Sequence, residues 1–341
     1  MDRLLVASTR LPPVSGGAEQ VAWETAKRLA DWLEVHMLTT GRSGRQTKEH
    51  VCIHYVPRLP FLTILYSTIA KREIDRTLSG IHVDLIHSHI ALPWGYVFRR
   101  AKSKRVITCH GSDIFPRKNH PVRFFLMSAL KHADAVTVPS RWICRYLGKE
   151  YGIASTVIPN GVDTKMFRPM TTVPRRDNVV LFVGRFIERK GILDLIEAAR
   201  SLPEYEFWLV GDPNAEGSVR IPVLRNVKQI GFVGNLTIYY NQATMCAFPS
   251  HWENFPIAGL EAMACGKAII ATEPGFSEYI EKGREGILIG PGRVEALVDS
   301  IRYLMENEGE RRKIEANARE KAALYDWSLV AKQYQTLYRD M

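Results

Sequence analysis

The sequence has no run of about 18 uninterrupted apolar residues, so nothing in it is long enough to cross a bilayer as a helix. Cysteine is scarce: Cys52, Cys109, Cys144, Cys246 and Cys265 are all there is. The number is odd and no two stand as C-x-x-C. That argues against a disulfide scaffold and against a structural zinc site, and it fits a reducing cytosol. The dinucleotide fingerprint G-x-G-x-x-G is missing, and so is G-x-x-x-x-G-K-S/T, which takes support from an NAD enzyme and from a P-loop ATPase. No D-x-D occurs, the pattern a magnesium-diphosphate site often uses. Lys/Arg runs interleaved with aromatics are absent too, as are zinc-finger spacing and an RNA-binding signature, so nucleic acid is not an expected partner. The amino terminus, Met1-Asp2-Arg3 and then Leu4 to Ala7, is too short for a signal sequence and reads as a first strand.

What remains is an ordinary globular composition, 46% apolar and 24% charged over 341 residues. At roughly 100–200 residues per domain, that length suggests two domains. The formal charge is +10, and it is unevenly placed. Residues 1–170 hold 25 Lys and Arg against 13 Asp and Glu, whereas residues 171–341 hold 21 against 23. The first half is therefore the part that attracts anions, either phosphorylated small molecules or an anionic membrane surface.

Short apolar runs recur along the chain. They are Leu4–Ala7, Val35–Leu38, Val51–Val56, Leu85–Ile86, Val106–Cys109, Ala135–Val138 and Thr156–Ile158, then Val179–Val183, Phe207–Val210, Lys228–Phe232, Met245–Phe248, Ala268–Ala271 and Gly286–Ile289. Several are continuous rather than alternating, which marks strands buried on both faces of helix-covered parallel sheets. Two such sets predict an α/β protein of two doubly wound, Rossmann-like domains facing across a cleft. Arg168–Asp177, with Pro169 and Pro174, reads as the linker, which puts the domains at 1–170 and 171–327.

Ligands of open parallel sheets bind beyond the carboxyl ends of the strands. Unusual polar residues collect there. Ser15-Gly16-Gly17 opens a helix after the first strand, where free N–H groups favour phosphate, although a plain tight turn reads the same way. His110-Gly111-Ser112-Asp113 follows another strand, and His110 suits hydrogen bonding or proton transfer. Arg185 and Lys190 flank a loop leading into a helix, and two cations with a helix N-terminus can neutralise a diphosphate without metal. Glu253 and Glu261 form E-x7-E around a helix with Pro256 fitting its N1 position and Gly266 its C′ cap. Glu253 then precedes the helix and Glu261 lies about two turns inside it. A carboxylate among small apolar residues needs bonding partners, and sugar or ribose hydroxyls supply them.

As a set these motifs resemble a known family. Ile158-Pro159-Asn160-Gly161-Val162-Asp163 with Phe167-Arg168-Pro169, then Val183-Gly184-Arg185 with Lys190-Gly191, then Pro249-Ser250 through Glu253 and Leu260-Glu261-Ala262-Met263-Ala264-Cys265-Gly266, resemble the retaining glycosyltransferases of family 4, which have the glycosyltransferase-B fold. The resemblance implies a nucleotide-sugar donor, UDP ahead of GDP, held with no cofactor and no metal. It implies Arg185 and Lys190 on the diphosphate, Glu261 on the ribose, Glu253 on the donor sugar, backbone of Asn254, Phe255, Pro256 and Ile257 on sugar and phosphate, and Phe232 and Val233 at the base. It also implies Gly16 and Gly17 near the phosphate and His110 near the reaction centre, so that His110, Arg185, Lys190 and Glu253 are the catalytic set. A final helix, 328–341, is expected to cross back to the first domain. One departure stands out: the family often has Gly-Phe-Gly after the first glutamate, where this chain has Asn254-Phe255-Pro256, and proline offers no N–H.

The basic first domain is expected to hold a lipid-linked or glycan acceptor. Arg58–Arg72 and Arg117–Lys131 mix cations with large apolar groups. Either suits an anionic bilayer on the inner face of the membrane, and either suits an amphipathic core helix. The competing functions are a non-hydrolysing nucleotide-sugar epimerase, which needs no acceptor, and a non-catalytic sugar-nucleotide-binding protein.

Overall fold

The computed structural model describes residues 3–11, 16–41, 44–57, 71–72, 74–111, 113–115 and 122–341. Ser15, Ser112, most of the Arg58–Arg72 stretch and residues 117–121 therefore lie outside the described residues. The chain divides into two compact units, Met1–Asn160 with Trp327–Met341, and Gly161–Asp326.

Unit one is built on an eight-stranded sheet. Its strands are β1 (Arg3–Ala7), β2 (Glu34–Thr40), β3 (Gly44–Lys48), β4 (Val51–Val56), β5 (Leu85–Ser88), β6 (Lys104–Thr108), β7 (Ala135–Val138) and β8 (Thr156–Val157). Their order is β3-β4-β2-β1-β5-β6-β7-β8, and every pairing is parallel except β3 with β4. The continuous apolar runs become strands whose side chains are buried on both faces, as in Leu4 to Ala7 of β1. Around the sheet stand α1 (Gly17–Leu29), α2 (Val122–Lys131) and α3 (Arg141–Tyr151). The last begins where Ser140 Oγ accepts from Ile143 N–H at 3.2 Å and ends at Gly152 with φ 64°.

Unit two has six parallel strands: β9 (Val179–Val183), β10 (Glu206–Val210), β11 (Val227–Gly231), β12 (Met245–Phe248), β13 (Ala268–Thr272) and β14 (Ile287–Ile289). The order is β11-β10-β9-β12-β13-β14. Its helices are α4 (Ile192–Ser201), α5 (Leu236–Gln242), α6 (Ile257–Ala264), α7 (Val294–Glu306) and α8 (Glu308–Ala323). A further helix, α9 (Trp327–Asp340), belongs to unit one, where it packs on α1 and buries Trp327, Val330, Tyr334 and Tyr338. Tyr338 Oη and His87 Nδ1 are 2.6 Å apart in that core.

The domain boundary needs correction. The change of unit falls at Asn160/Gly161, ten residues before the expected 170/171. Val162 and Phe167 are buried in the core of unit two, and the expected linker is stitched to it by Met170 N–H on Asn241 Oδ1 at 2.8 Å and Arg176 N–H on Gln242 O at 2.9 Å. Strand β3 was not legible: Gly-Arg-Gln-Thr-Lys is exposed throughout and has no apolar residue to signal it. A charged edge strand of this kind guards the sheet against pairing with other chains. The described part of Arg117–Lys131 is helix α2, which buries Leu126, Ala129 and Leu130 while Phe124 stays 73% exposed.

Candidate active site

In unit two, β9 leads to β10 and β11 on one side, while β12 leads to β13 and β14 on the other. The order reverses between β9 and β12, and the crevice at such a point is where an open parallel sheet takes its ligand. The loop after β9 carries Arg185, Arg189 and Lys190, and the loop after β12 carries Ser250 to Pro256. The two loops are locked together. His251 N–H donates to Arg189 O at 2.9 Å, and Arg189 Nη1 donates to Trp252 O at 2.9 Å. Gly191, at φ 66°, joins the loop to α4, and a Cβ there would lie 1.8 Å from Pro249 O, so only glycine lets the loops approach this closely.

Lys190 Nζ forms an ion pair with Glu253 Oε1, and Arg189 Nη1 stands 3.9 Å from Glu253 Oε2. Glu253 is buried, 8% exposed, with Ser250 Oγ at 3.5 Å from Oε1. Its backbone is pressed by Gly275, at φ 105°, whose added Cβ would meet Glu253 O at 2.7 Å. Arg185 is exposed on the same loop. Eight residues on from Glu253, Glu261 is buried in α6 and accepts from Tyr240 Oη at 3.0 Å. Burial, and then the Glu261 charge, push the Tyr240 hydroxyl well above its usual value, so it stays a donor. Tyr279 Oη donates to Pro256 O at 2.8 Å, and burial followed by the Glu253 charge holds its proton equally firmly. After β11 come Phe232, 68% exposed, and the half-buried Val233.

In unit one the order reverses between β1 and β5. Gly16 caps α1, and its N–H donates to Glu19 Oε2 at 3.0 Å, while among the described residues nothing lies within 4 Å of where a Cβ on Gly17 would stand. His110, after β6, is stacked on His89, after β5, with centroids 5.6 Å apart and an interplanar angle of 21°. Asp113 fixes this turn by accepting from Ala91, His110 and Gly111 N–H groups at 3.0–3.1 Å. Burial lowers His110 to about 4, so its ring is neutral at pH 7. A cavity of about 620 Å³, lined by Asp84, Arg100 and Lys104 among others, opens at the amino ends of β5 and β6, the end of the sheet away from these groups.

Residues 15–166 match the family described as Glycosyltransferase Family 4, and residues 163–321 match Glycosyl transferases group 1. The chain belongs to the family 4 glycosyltransferases. An uncharacterized glycosyltransferase of Methanocaldococcus jannaschii is 29% identical, over 96% of each chain. A phosphatidyl-myo-inositol mannosyltransferase of Mycobacterium leprae is 28% identical, over 83% of this chain and 79% of the relative. The solved structure of Anabaena HepE with UDP-glucose superposes with a TM-score of 0.80 at 21% identity, covering 99% of this chain and 100% of that one. This glycosyltransferase thus has the glycosyltransferase-B architecture of two parallel-sheet α/β domains expected from its sequence.

The geometry of this glycosyltransferase refines the sequence reading. Lys190 and Glu253 are brought into direct contact, and Arg185 shares their loop. Phe255 turns its ring into the core against Tyr279, centroids 5.1 Å apart, leaving only backbone for a ligand. Pro256 is the N-cap of α6 rather than its first helical residue, because its ψ of 120° is extended. Glu261 is therefore the fifth helical residue, about 1.4 turns into the helix. His89, absent from the sequence-based candidates, has both ring nitrogens buried without a hydrogen-bond partner among the described residues. Its signal was the alternation His87-Ser88-His89 at a strand end beside the reversal of order.

Proposed function

We propose that this glycosyltransferase moves a sugar from a nucleoside-diphosphate-sugar to an acceptor hydroxyl with retention of anomeric configuration and without a metal. The Lys190–Glu253 pair at the β9/β12 reversal carries the reading. A cation and a carboxylate that neutralise each other at a ligand-binding edge are groups that a donor with both phosphate and hydroxyls separates and uses. Lys190 and Arg185 hold the diphosphate, Glu253 accepts from donor-sugar hydroxyls, and Glu261 from the ribose. Asn254 and Ile257 supply backbone groups at the start of α6, and Phe232 and Val233 border the base. Gly16, Gly17 and His110 are the contribution of unit one. UDP comes ahead of GDP as the nucleotide, in keeping with the UDP-glucose bound by the Anabaena protein.

In the reaction the bond from the anomeric carbon to the diphosphate oxygen breaks and negative charge grows on that oxygen. Arg185 and Lys190 are preorganised for it. The acceptor oxygen attacks on the same face, and its proton passes to the departing phosphate oxygen. A carboxylate beside sugar hydroxyls is not placed as a covalent nucleophile, which favours this front-face route for Glu253. His110, being neutral, orients a hydroxyl by hydrogen bonding and adds no charge. The acceptor is a lipid-linked or glycan hydroxyl. The excess of Lys and Arg in residues 1–170 and the phosphatidyl-myo-inositol named for the mycobacterial relative support it, with docking on an anionic membrane surface.

A thermal-shift panel of nucleotide-sugars tests the donor. A ligand at 100 times its Kd stabilises the fold by about 2.7 kcal/mol. A panel in which no nucleotide-sugar raises the Tm would end the reading. Turnover in EDTA tests metal independence, the anomeric signal of the product tests retention, and cosedimentation with anionic against neutral vesicles tests the membrane.

A further inference from the structure

A second cluster of chemically reactive side chains lies on the other arm of the unit-one sheet. His36 of β2 pairs in register with Cys52 of β4, and His54 lies two residues further along β4. Residues two apart on a strand share a face, so all three side chains emerge on one side of the β2–β4 pair. Their donor atoms lie within 4.8 Å of one another, and both imidazoles are buried, 3% and 2% exposed. We propose that His36, Cys52 and His54 form a binding site for a divalent ion of the zinc type, pinning β4 to β2.

The donor set decides the ion. Two imidazoles and a thiolate suit zinc and its neighbours and do not suit magnesium or calcium. The spacing is within reach of a tetrahedral ion once the side chains adjust. Bonds of about 2.0 Å to nitrogen and 2.3 Å to sulfur place donors roughly 3.3–3.6 Å apart. His36 Nδ1 and His54 Nε2 are 2.9 Å apart, so the rings part by about half an ångström to admit the ion. Glu34 Oε1 stands 3.0 Å from His36 Nε2. With the Nε2 proton donated to that carboxylate, the Nδ1 lone pair faces the cluster, the carboxylate–histidine–metal arrangement of zinc sites. Arg45 Nε donates to Cys52 Sγ at 2.8 Å, and its exposed side chain is free to withdraw. Water fills the fourth position. On binding, the Cys52 thiol loses its proton to solvent, and the His54 ring keeps its single proton but carries it on Nδ1, so one proton leaves per ion bound. The site departs from the expectation that the cysteine pattern excludes structural zinc. Its ligands come from two strands, and no C-x-x-C spacing announces them.

The test uses the full chain, stripped with EDTA and titrated with Zn²⁺ alone and with Co²⁺ alone. One Zn²⁺ is expected per chain, and Co²⁺ is expected to give a thiolate-to-cobalt charge-transfer band in the near ultraviolet. In C52S the band is lost and Zn²⁺ binds at least about 100-fold more weakly. No thiolate band in the wild-type chain would overturn the site, and so would a band or a zinc affinity that survives in C52S, since another thiol would then be the ligand. The readout is metal binding, so it stands apart from the donor assay.

Discussion

At the scale of single residues, Lys190 and Glu253 carry the most consequence. Each is the other's counter-ion, so on the proposed reading a donor diphosphate would compete with Glu253 for the ammonium. Replacing Lys190 with Ala is expected to lower kcat about 100-fold, because positive charge is lost where the leaving group becomes negative. Steady-state rates on saturating donor check this. Glu253→Gln is expected to split binding from transfer: nucleoside diphosphate binds several-fold more tightly to a Lys190 relieved of its partner, while sugar transfer slows. Calorimetry with UDP, alongside turnover, reads both. Looser UDP binding in that variant would show that the pair holds the site together instead of restraining it. Residue types and spacing made both side chains legible in the sequence. Their contact was not, because it depends on two loops 63 residues apart meeting at a reversal of strand order. His89 shows the converse: its alternation with His87 is visible in the sequence, but its place against His110 depends on two strands that meet only in the sheet.

At the scale of elements, the strands were the most legible feature, because strands buried on both faces write themselves as unbroken apolar runs. The polar edge β3 had no such signature, and the linker misled because its prolines sit in a segment fastened to unit two. The loop after β9 owes its course to Gly191. Gly191→Ala puts a side chain at φ 66° and against Pro249 O. The backbone conformation alone costs about 1–2 kcal/mol, and the 1.8 Å approach must be relieved by parting the two loops. Both a lower Tm and a weaker grip on nucleoside diphosphate are expected, measured by denaturation and by calorimetry. Wild-type stability would mean that the loops approach less closely than described.

At the scale of the whole molecule, buried histidines set the response to acid. Burial holds His54 and His110 down to about 4 and His87 to about 3, and His89 is held well below its usual value too. The unfolded chain, with histidines near 6.5, takes up protons that the folded one refuses. Unfolding free energy therefore rises with pH between about 4 and 6.5 and is lost as the medium is acidified through that window. Urea denaturation at pH 5 and pH 7 measures it, and equal midpoints would contradict the burial. The wholeness of unit one also depends on α9. Removing residues 327–341 exposes the apolar surface covered by Trp327, Val330 and Tyr334 and strips His87 of its tyrosine partner. A truncated chain is expected to show a lowered unit-one melting transition by calorimetry, with the unit-two transition near its original place. This dependence shapes how the protein is made. A nascent chain emits the strands of unit one first, yet their closing helix leaves the ribosome only after all of unit two has been translated. The sheet begun at residue 3 must wait, partly uncovered, for a segment more than 300 residues downstream.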